Sequence, residues 1–335
     1  MKNIVTLKGI TDPIRNKDKK EIMQGIEIIA TGRSLPARSV TNQELSKIVD
    51  TSDQWIRTRT GIGSRYYCEE ETTASMAIEA AKKAVQKAKI NKQEIGIVVV
   101  ATTTPEYAFP STACLVQQAL ELPEEVMAFD INAACAGFLY GLGIIAPMLQ
   151  NSRKPYALVI GSEHLSKIVN YKDRGSCILF GDGAGAALIK KSEKDFYHKG
   201  YTRGNKECLY CNGLSSKKED FYLHMEGNQV FRFAVSAIEE GIESVLKEAK
   251  LTMEEVDIVL CHQANGRIIS HVEKKYKEYP ALFYKNIEFY GNTSAASIPI
   301  ALDEMEEKGL LKEGQKLLMV GFGAGFTWSS CLLTI

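Results

Sequence analysis

Four stretches of this chain are apolar almost without interruption: "IGIVVVATTT" (95–104), "YALVIGS" (156–162), "VDIVLCH" (256–262) and "KLLMVGFG" (316–323). Short runs rich in Val and Ile, without a polar residue at every second position, predict strands covered on both faces. Between them the period changes. "TTASMAIEAAKKAVQKAK" (72–89) and "VFRFAVSAIEEGIESVLKEAK" (230–250) place apolar residues at helical spacing, in the second at Val230, Ala234, Ala237, Ile238, Ile242, Val245 and Ala249. Thr252, followed three residues later by Glu255, has the form of a capping box opening a further helical turn. The alternation makes this an α/β chain.

The pattern also repeats. "AVQKAKINKQEIGIVVVAT" (84–102) lies over "VLKEAKLTMEEVDIVLCHQ" (245–263) at a shift of 161, with Ala88/Ala249, Lys89/Lys250, Glu94/Glu255, Ile97/Ile258 and Val98/Val259 identical in kind. The same shift lays "NAACAGFLYGL" over "TSAASIPIALD", each a small-residue turn leading into an apolar helix. Two agreements at one offset predict duplicated halves. Their expected bounds are 25–190 and 225–335, joined by a polar connector at 191–224 and preceded by an extension at 1–24.

Charge adds little: 41 basic residues balance 41 acidic ones, so nothing global steers the chain to nucleic acid. No run is expected to reach the roughly 18 apolar residues of a membrane span. The first residues lack the apolar stretch of a secretory signal, which predicts a cytoplasmic protein. Eight cysteines scattered over such a chain read as reduced thiols. The one close pair, Cys208 and Cys211, has neither a second pair nor well-spaced histidines, His224 being the nearest; metal or redox chemistry there is the weaker reading.

Cys135 changes the picture. It stands in "FDINAACAGFLYGL" (129–142), among alanines and a glycine at a strand-to-helix turn. Alone, it reads first as a small core hydrophobe and only second as a thiolate favoured by a helix N-terminus. The duplication weighs on the second side. His262 ends a strand of the second half, and Asn292 lies in the turn equivalent to that of Cys135. Equivalent strand ends of paired halves meet at a shared centre, so a nucleophile, a group that titrates near neutrality and an amide donor would converge. Glycines in "GFGAGF" (321–326) would let backbone N–H groups reach a carbonyl oxygen beside Cys135.

Eight motifs in order, "DTSDQWIRTRTGI" (50–62), "FPSTAC" (109–114), "AACAGF" (133–138), "DRG" (173–175), "LFGDGAGAAL" (179–188), "CHQANGRII" (261–269), "YGNTSAASIP" (290–299) and "GFGAGFTWSS" (321–330), resemble the 3-oxoacyl-[acyl-carrier-protein] synthase III family. The resemblance runs from about Gly25 to the C-terminus. It implies a thiolase-like fold, five layers αβαβα built from two duplicated halves, and an initiating condensing enzyme of bacterial fatty-acid synthesis. Cys135, His262 and Asn292 match the family's triad. Cys135 would take an acyl group from acyl-CoA. His262 and Asn292 would then hold the enolate formed as malonyl on acyl carrier protein loses CO₂, and Gly323, Ala324 and Gly325 would form the oxyanion loop. Trp55, Arg59 and Arg174 match residues that hold CoA, and Arg267 one that docks the acidic carrier protein. Phe109 matches a residue that crosses a homodimer interface to floor the partner's acyl pocket, where its bulk would favour short primers such as acetyl. No cofactor, metal, nucleic acid or membrane is implied.

Ala324 stands where relatives commonly have Gly, and Gly266 where Leu is more usual. "GDGAGA" (181–186) imitates a dinucleotide fingerprint, but the residues after it read as a strand where a Rossmann motif would open a helix. The order Cys, His, Asn is also that of papain-like hydrolases, whose local signature is missing here. A secondary-metabolite condensing enzyme or a simple acyltransferase on the same fold are the nearer rivals. A binding-only protein would be expected to have lost a triad member.

Overall fold

The computed structural model describes residues 25–213, 221–279 and 281–335; the expected extension at 1–24 lies outside them. Two five-stranded sheets organise the chain. One runs, edge to edge, Gly25–Ser34, Gly183–Ser192, Tyr156–Glu163, Ile95–Ala101, Met127–Ile131. The other runs Phe196–Asn205, Gly325–Thr334, Lys316–Gly323, Ile258–Cys261, Leu282–Phe283. Numbered within its own sheet, each reads 1-5-4-2-3. In each, the first two pairings are antiparallel and the last two parallel.

The near-continuous apolar runs follow from burial on both faces. In Ile95–Ala101, Ile97 and Val99 point inward to one apolar cluster, while Val98 and Val100 belong to another on the opposite face. The inner cluster is shared by both sheets. Helices Gly137–Asn151 and Ser297–Glu307 lie there, with Leu139, Leu142 and Ile145 packed among Ile298, Leu302, Met305, Leu317 and Met319. Outside the first sheet, Met76, Ala80 and Ala84 of helix Thr73–Ala88 cover Val98, Val100 and Ile160. Outside the second, Ala234, Ile238 and Ile242 of helix Gly227–Ala249 cover Val259, Leu318 and Val320. The result is the expected αβαβα stack, with each sheet buried on both sides.

The helix ends repeat as the sequence does. Lys89 and Lys250, matched at the shift of 161, both terminate their helices in the left-handed region, at φ 54° and 56°. The Thr252–Glu255 capping box forms on a single 3₁₀ turn, Met253–Glu255.

Two expectations need correction. The stretch 191–224 is not only a connector: Phe196–Asn205 pairs with Gly325–Thr334 as the edge strand of the second sheet. Its alternating half-buried and exposed residues read as loop because an edge strand has one wet side. Second, Ala134–Asn151 does reach membrane-span composition, with mean hydropathy 1.2 over 18 residues, the one such stretch among the described residues. Its apolarity comes from its place between the sheets, where Phe138, Leu139, Leu142, Ile145 and Leu149 are wholly buried.

Candidate active site

The two halves present the same turn to each other. In the first, the Asn132 side-chain oxygen accepts the Ala134 N–H at 3.2 Å, Ala134 takes φ 47°, and a 3₁₀ turn Ala134–Ala136 leads into helix Gly137–Asn151. In the second, the Asn292 oxygen accepts the Ser294 N–H at 2.8 Å, Ser294 takes φ 49°, and Ser294–Ala296 leads into Ser297–Glu307. The true offset here is 160, one less than the sequence match, because the second half is one residue shorter before its turn. Cys135 is therefore the counterpart of Ala295.

Close approach explains the small residues around Cys135. A Cβ on Gly137 would sit 2.9 Å from Ala101 Cβ and 3.6 Å from Ala295 Cβ. One on Gly161 would fall 2.2 Å from the Ala295 carbonyl oxygen, and one on Gly323 2.6 Å from the Cys135 amide nitrogen. Only glycine lets three strands and the facing turn close on the sulfur.

Cys135, His262 and Asn292 line one cavity of about 1110 Å³ together with Gly323, Ala324 and Gly325. Burial pushes the Cys135 thiol up to about 12, and the nearby Glu163 charge raises it further. The resting group is thus a thiol. Desolvation works against the expected thiolate, and the helix start works for it.

His262 is 1% exposed, and burial pushes its pKa down to about 3, so its imidazole is neutral. Its Nδ1 meets Ser297 Oγ at 2.6 Å, its backbone N–H donates to the Val320 carbonyl at 2.8 Å, and its ring stands edge-on to Phe322. Asn292 is tied to the first half: its N–H donates to the Leu179 carbonyl and its carbonyl accepts from Gly181. With its side-chain oxygen taken by Ser294, its amide NH₂ is the group left for the cavity. Positive φ falls on Gly325 (74°) and Phe326 (51°), not on Ala324, so alanine there carries no backbone strain.

At the mouth, helix Asp53–Thr60 begins on a Ser52 cap and ends at Gly61, placing Trp55 and Arg59 one turn apart. The Arg174 guanidinium lies 4.8 Å from the Trp55 ring centroid and that of Arg59 5.8 Å. Arg174 is held over the ring by the Asp50 carbonyl, which accepts from it at 3.1 Å. Exposed Arg267 opens helix Gly266–Lys275 and lies over Phe231. Phe109 is 86% exposed and takes no part in lining this cavity.

Sequence reasoning missed Glu163, Ser294 and Ser297, all buried at the site. Glu163 did carry a signal: it comes directly after "YALVIGS", a carboxylate ending a run expected to be dry. "GDGAGA" leads into strand Gly183–Ser192, not a helix. All eight cysteines are free, and Cys208 is buried while Cys211 is exposed. Cys68, His164 and Asp182 do bring ligand-type atoms within 4.8 Å of one another. However, the Asp182 oxygens already accept from the Cys68 and Ser166 amides and the Ser166 hydroxyl, which accounts for them without a metal.

Residues 129–201 match the family profile described as 3-Oxoacyl-[acyl-carrier-protein (ACP)] synthase III, and 246–335 match its C-terminal counterpart. A beta-ketoacyl-[acyl-carrier-protein] synthase III of Clostridium botulinum is 47% identical over 318 residues, 91% of this chain and 97% of that one. One from Clostridium novyi is 46% identical over 323 residues, 93% and 99% of the two chains. A crystal structure of 3-oxoacyl-[acyl-carrier-protein] synthase III from Aquifex aeolicus VF5 superposes with TM-score 0.86 at 44% identity, covering 93% of this chain and all of that one. The paired sheets and the site at their junction are accordingly those of a thiolase fold, and the chain belongs to the 3-oxoacyl-[acyl-carrier-protein] synthase III family, acyltransferases that perform the initiating condensation of fatty-acid synthesis.

Proposed function

We propose that this chain moves the acyl group of acetyl-CoA, or another short acyl-CoA, onto Cys135 and condenses it with malonyl-acyl carrier protein to give 3-oxoacyl-carrier protein, CoA and CO₂. The observation that carries this is the meeting of Cys135, His262 and Asn292 in one cavity whose mouth carries Trp55, Arg59 and Arg267. In the first stage Cys135 sulfur attacks the thioester carbonyl and CoA leaves. In the second, loss of CO₂ supplies the carbon nucleophile without a strong base. A neutral imidazole suits that step as a hydrogen-bond donor. In this reading Ser297 Oγ, which accepts the Gln263 N–H, donates its own hydrogen to His262 Nδ1, so that the ring proton rests on Nε2. That N–H and the Asn292 amide hold the developing enolate oxygen. The amides of Cys135 and the 323–325 loop hold the later oxyanion.

The same reading takes the two matched sheets as duplicated halves and places the protein in the cytoplasm. It makes the protein a homodimer that works without metal or cofactor. Arg267 meets the acidic carrier protein, and Arg174 with Arg59 and Trp55 holds the CoA adenine once Arg174 lifts from the ring. Exposed Phe109 reaches the partner's acyl pocket, so acetyl-CoA should outcompete isobutyryl-CoA in a mass-spectrometric competition. The deciding experiment is intact mass after mixing with acetyl-CoA. One acetyl on the wild type and none on Cys135→Ala establishes the acyl-enzyme. Failure across a panel of acyl-CoAs returns Cys135 to the role of a core cysteine.

A further inference from the structure

Glu163 ends strand Tyr156–Glu163 with no exposure to water, and the two-stage reaction gives it nothing to do. At the offset of 160 its counterpart is Gly323, the last residue of Lys316–Gly323. Each of these strand ends faces the turn of the other half. A Cβ on Gly323 would fall 2.6 Å from the Cys135 amide nitrogen, so that end is stripped to glycine. The other end carries a carboxylate, and Ser294 Oγ donates to its Oε1 at 3.1 Å. Three further hydroxyls converge on Oε2, from Thr104 at 2.7 Å, Thr103 at 2.9 Å and Thr102 at 3.4 Å, with the Thr103 N–H at 3.1 Å. Thr102 and Thr104 already accept backbone N–H groups through their oxygens, which leaves their hydrogens for Glu163. Only an acceptor on both atoms suits such a ring of donors; an amide would set an NH₂ among them. A carboxylate buried among neutral donors is costly to keep for packing alone.

The matched turn of the first half is an internal control. Ala134 and Ser294 share the left-handed backbone, at φ 47° and 49°, a conformation that costs a residue with a side chain. Ala134 has no hydroxyl, Asn132 meets its N–H at 3.2 Å, and Asn132 is exposed. Ser294 is held by Glu163, Asn292 meets its N–H at 2.8 Å, and Asn292 is buried. We propose that Glu163 is a positioning residue for the condensation stage. By holding the Ser294 hydroxyl it fixes the turn whose N–H takes the Asn292 side-chain oxygen, and so aims the Asn292 NH₂ at the enolate oxygen. It touches no substrate and acts only through Asn292. Because the carboxylate belongs to one half and the amide to the other, it also sets the distance between them across the junction. The proposal rests on the condensing function proposed above.

The test makes Glu163→Gln and Ser294→Ala in the full chain, each alone and combined with Asn292→Ala. Acetylation of Cys135 from acetyl-CoA is followed by intact mass, and condensation with malonyl-carrier protein by product assay. Either substitution alone should lower kcat of condensation about tenfold with little change in KM, and leave the acetylation rate within about twofold. On the Asn292→Ala background the same substitutions should cost less than about twofold more, since their target is already gone. A merely structural role would slow both stages and would cost as much with Asn292 absent as with it present; either result overturns the proposal. Should Glu163→Gln fail to fold, Ser294→Ala carries the test. A crystal structure of Ser294→Ala supplies a readout that needs no activity. The Asn292 side-chain oxygen should leave the N–H of residue 294, and an unmoved Asn292 overturns the proposal. A displaced Asn292 in a protein whose wild type takes no acyl group would sink the proposed function and leave the positioning role standing.

Discussion

Gly61 and Gly266 meet backbone to backbone: a Cβ on Gly61 would stand 3.5 Å from Gly266 Cα, and one on Gly266 3.1 Å from the Thr60 carbonyl oxygen. This contact locks the helix bearing Trp55 and Arg59 to the helix bearing Arg267. Gly266→Leu should lower stability by roughly 1–3 kcal/mol and raise KM for both acyl-CoA and carrier protein, since overpacking separates the two helices. Thermal melting and steady-state kinetics check it; unchanged values would detach this contact from the shape of the mouth.

Trp55 lies under Arg174 and Arg59, so in the proposed function a stacked base would replace one cation–π contact. Trp55→Ala should raise KM for acyl-CoA about tenfold with little change in kcat, as expected for loss of a contact made equally in ground and transition states. Trp328 is the other tryptophan of the chain. Trp328→Phe would therefore leave Trp55 as sole reporter, and its fluorescence should change on titration with CoA.

His262→Ala and Asn292→Ala should still take up one acetyl group yet lose about 10²–10³-fold in condensation, because each removes a donor to the same oxyanion. Their double variant should be little worse than either single one. Intact mass and product assay separate the two stages. Loss of acetylation in either variant would contradict the assigned division of labour.

Stability should fall on acidification. Burial depresses His262 to about 3 and His198, which bonds Ser329 Oγ, to about 4. Both stay neutral in the fold while the unfolded chain protonates near 6.5, so their contribution is full above about pH 6.5 and is lost as pH drops toward the folded values. The loss should be of the order of a few kcal/mol by about pH 4. Denaturant titrations across this range measure it; His198→Asn should flatten the curve.

The architecture was legible where burial is total. Ile97 with Val99 and Val98 with Val100 read as a two-faced strand because alternate side chains enter different cores. Phe196–Asn205 was illegible for the converse reason: an edge strand mixes half-buried and exposed residues as a connector does. Cys135, His262 and Asn292 could be picked out because their residue types are chemically unusual at strand ends, and the ordered motifs carried the rest.

Local period and residue type, both written along the chain, set the alternation of elements, the repeated pattern and the choice of Cys135, His262 and Asn292 as candidates. Packing between distant segments set the one-residue slip that pairs Cys135 with Ala295. It also set the contact of Gly61 with Gly266 and the hydrogen bond that Ser294 donates to Glu163. Glu163 and Ser294 are 131 positions apart. Their meeting is fixed by how closely two sheets pack across a layer of glycine and alanine, and the protonation state of Cys135 comes from the dryness of that junction, a property no single segment possesses.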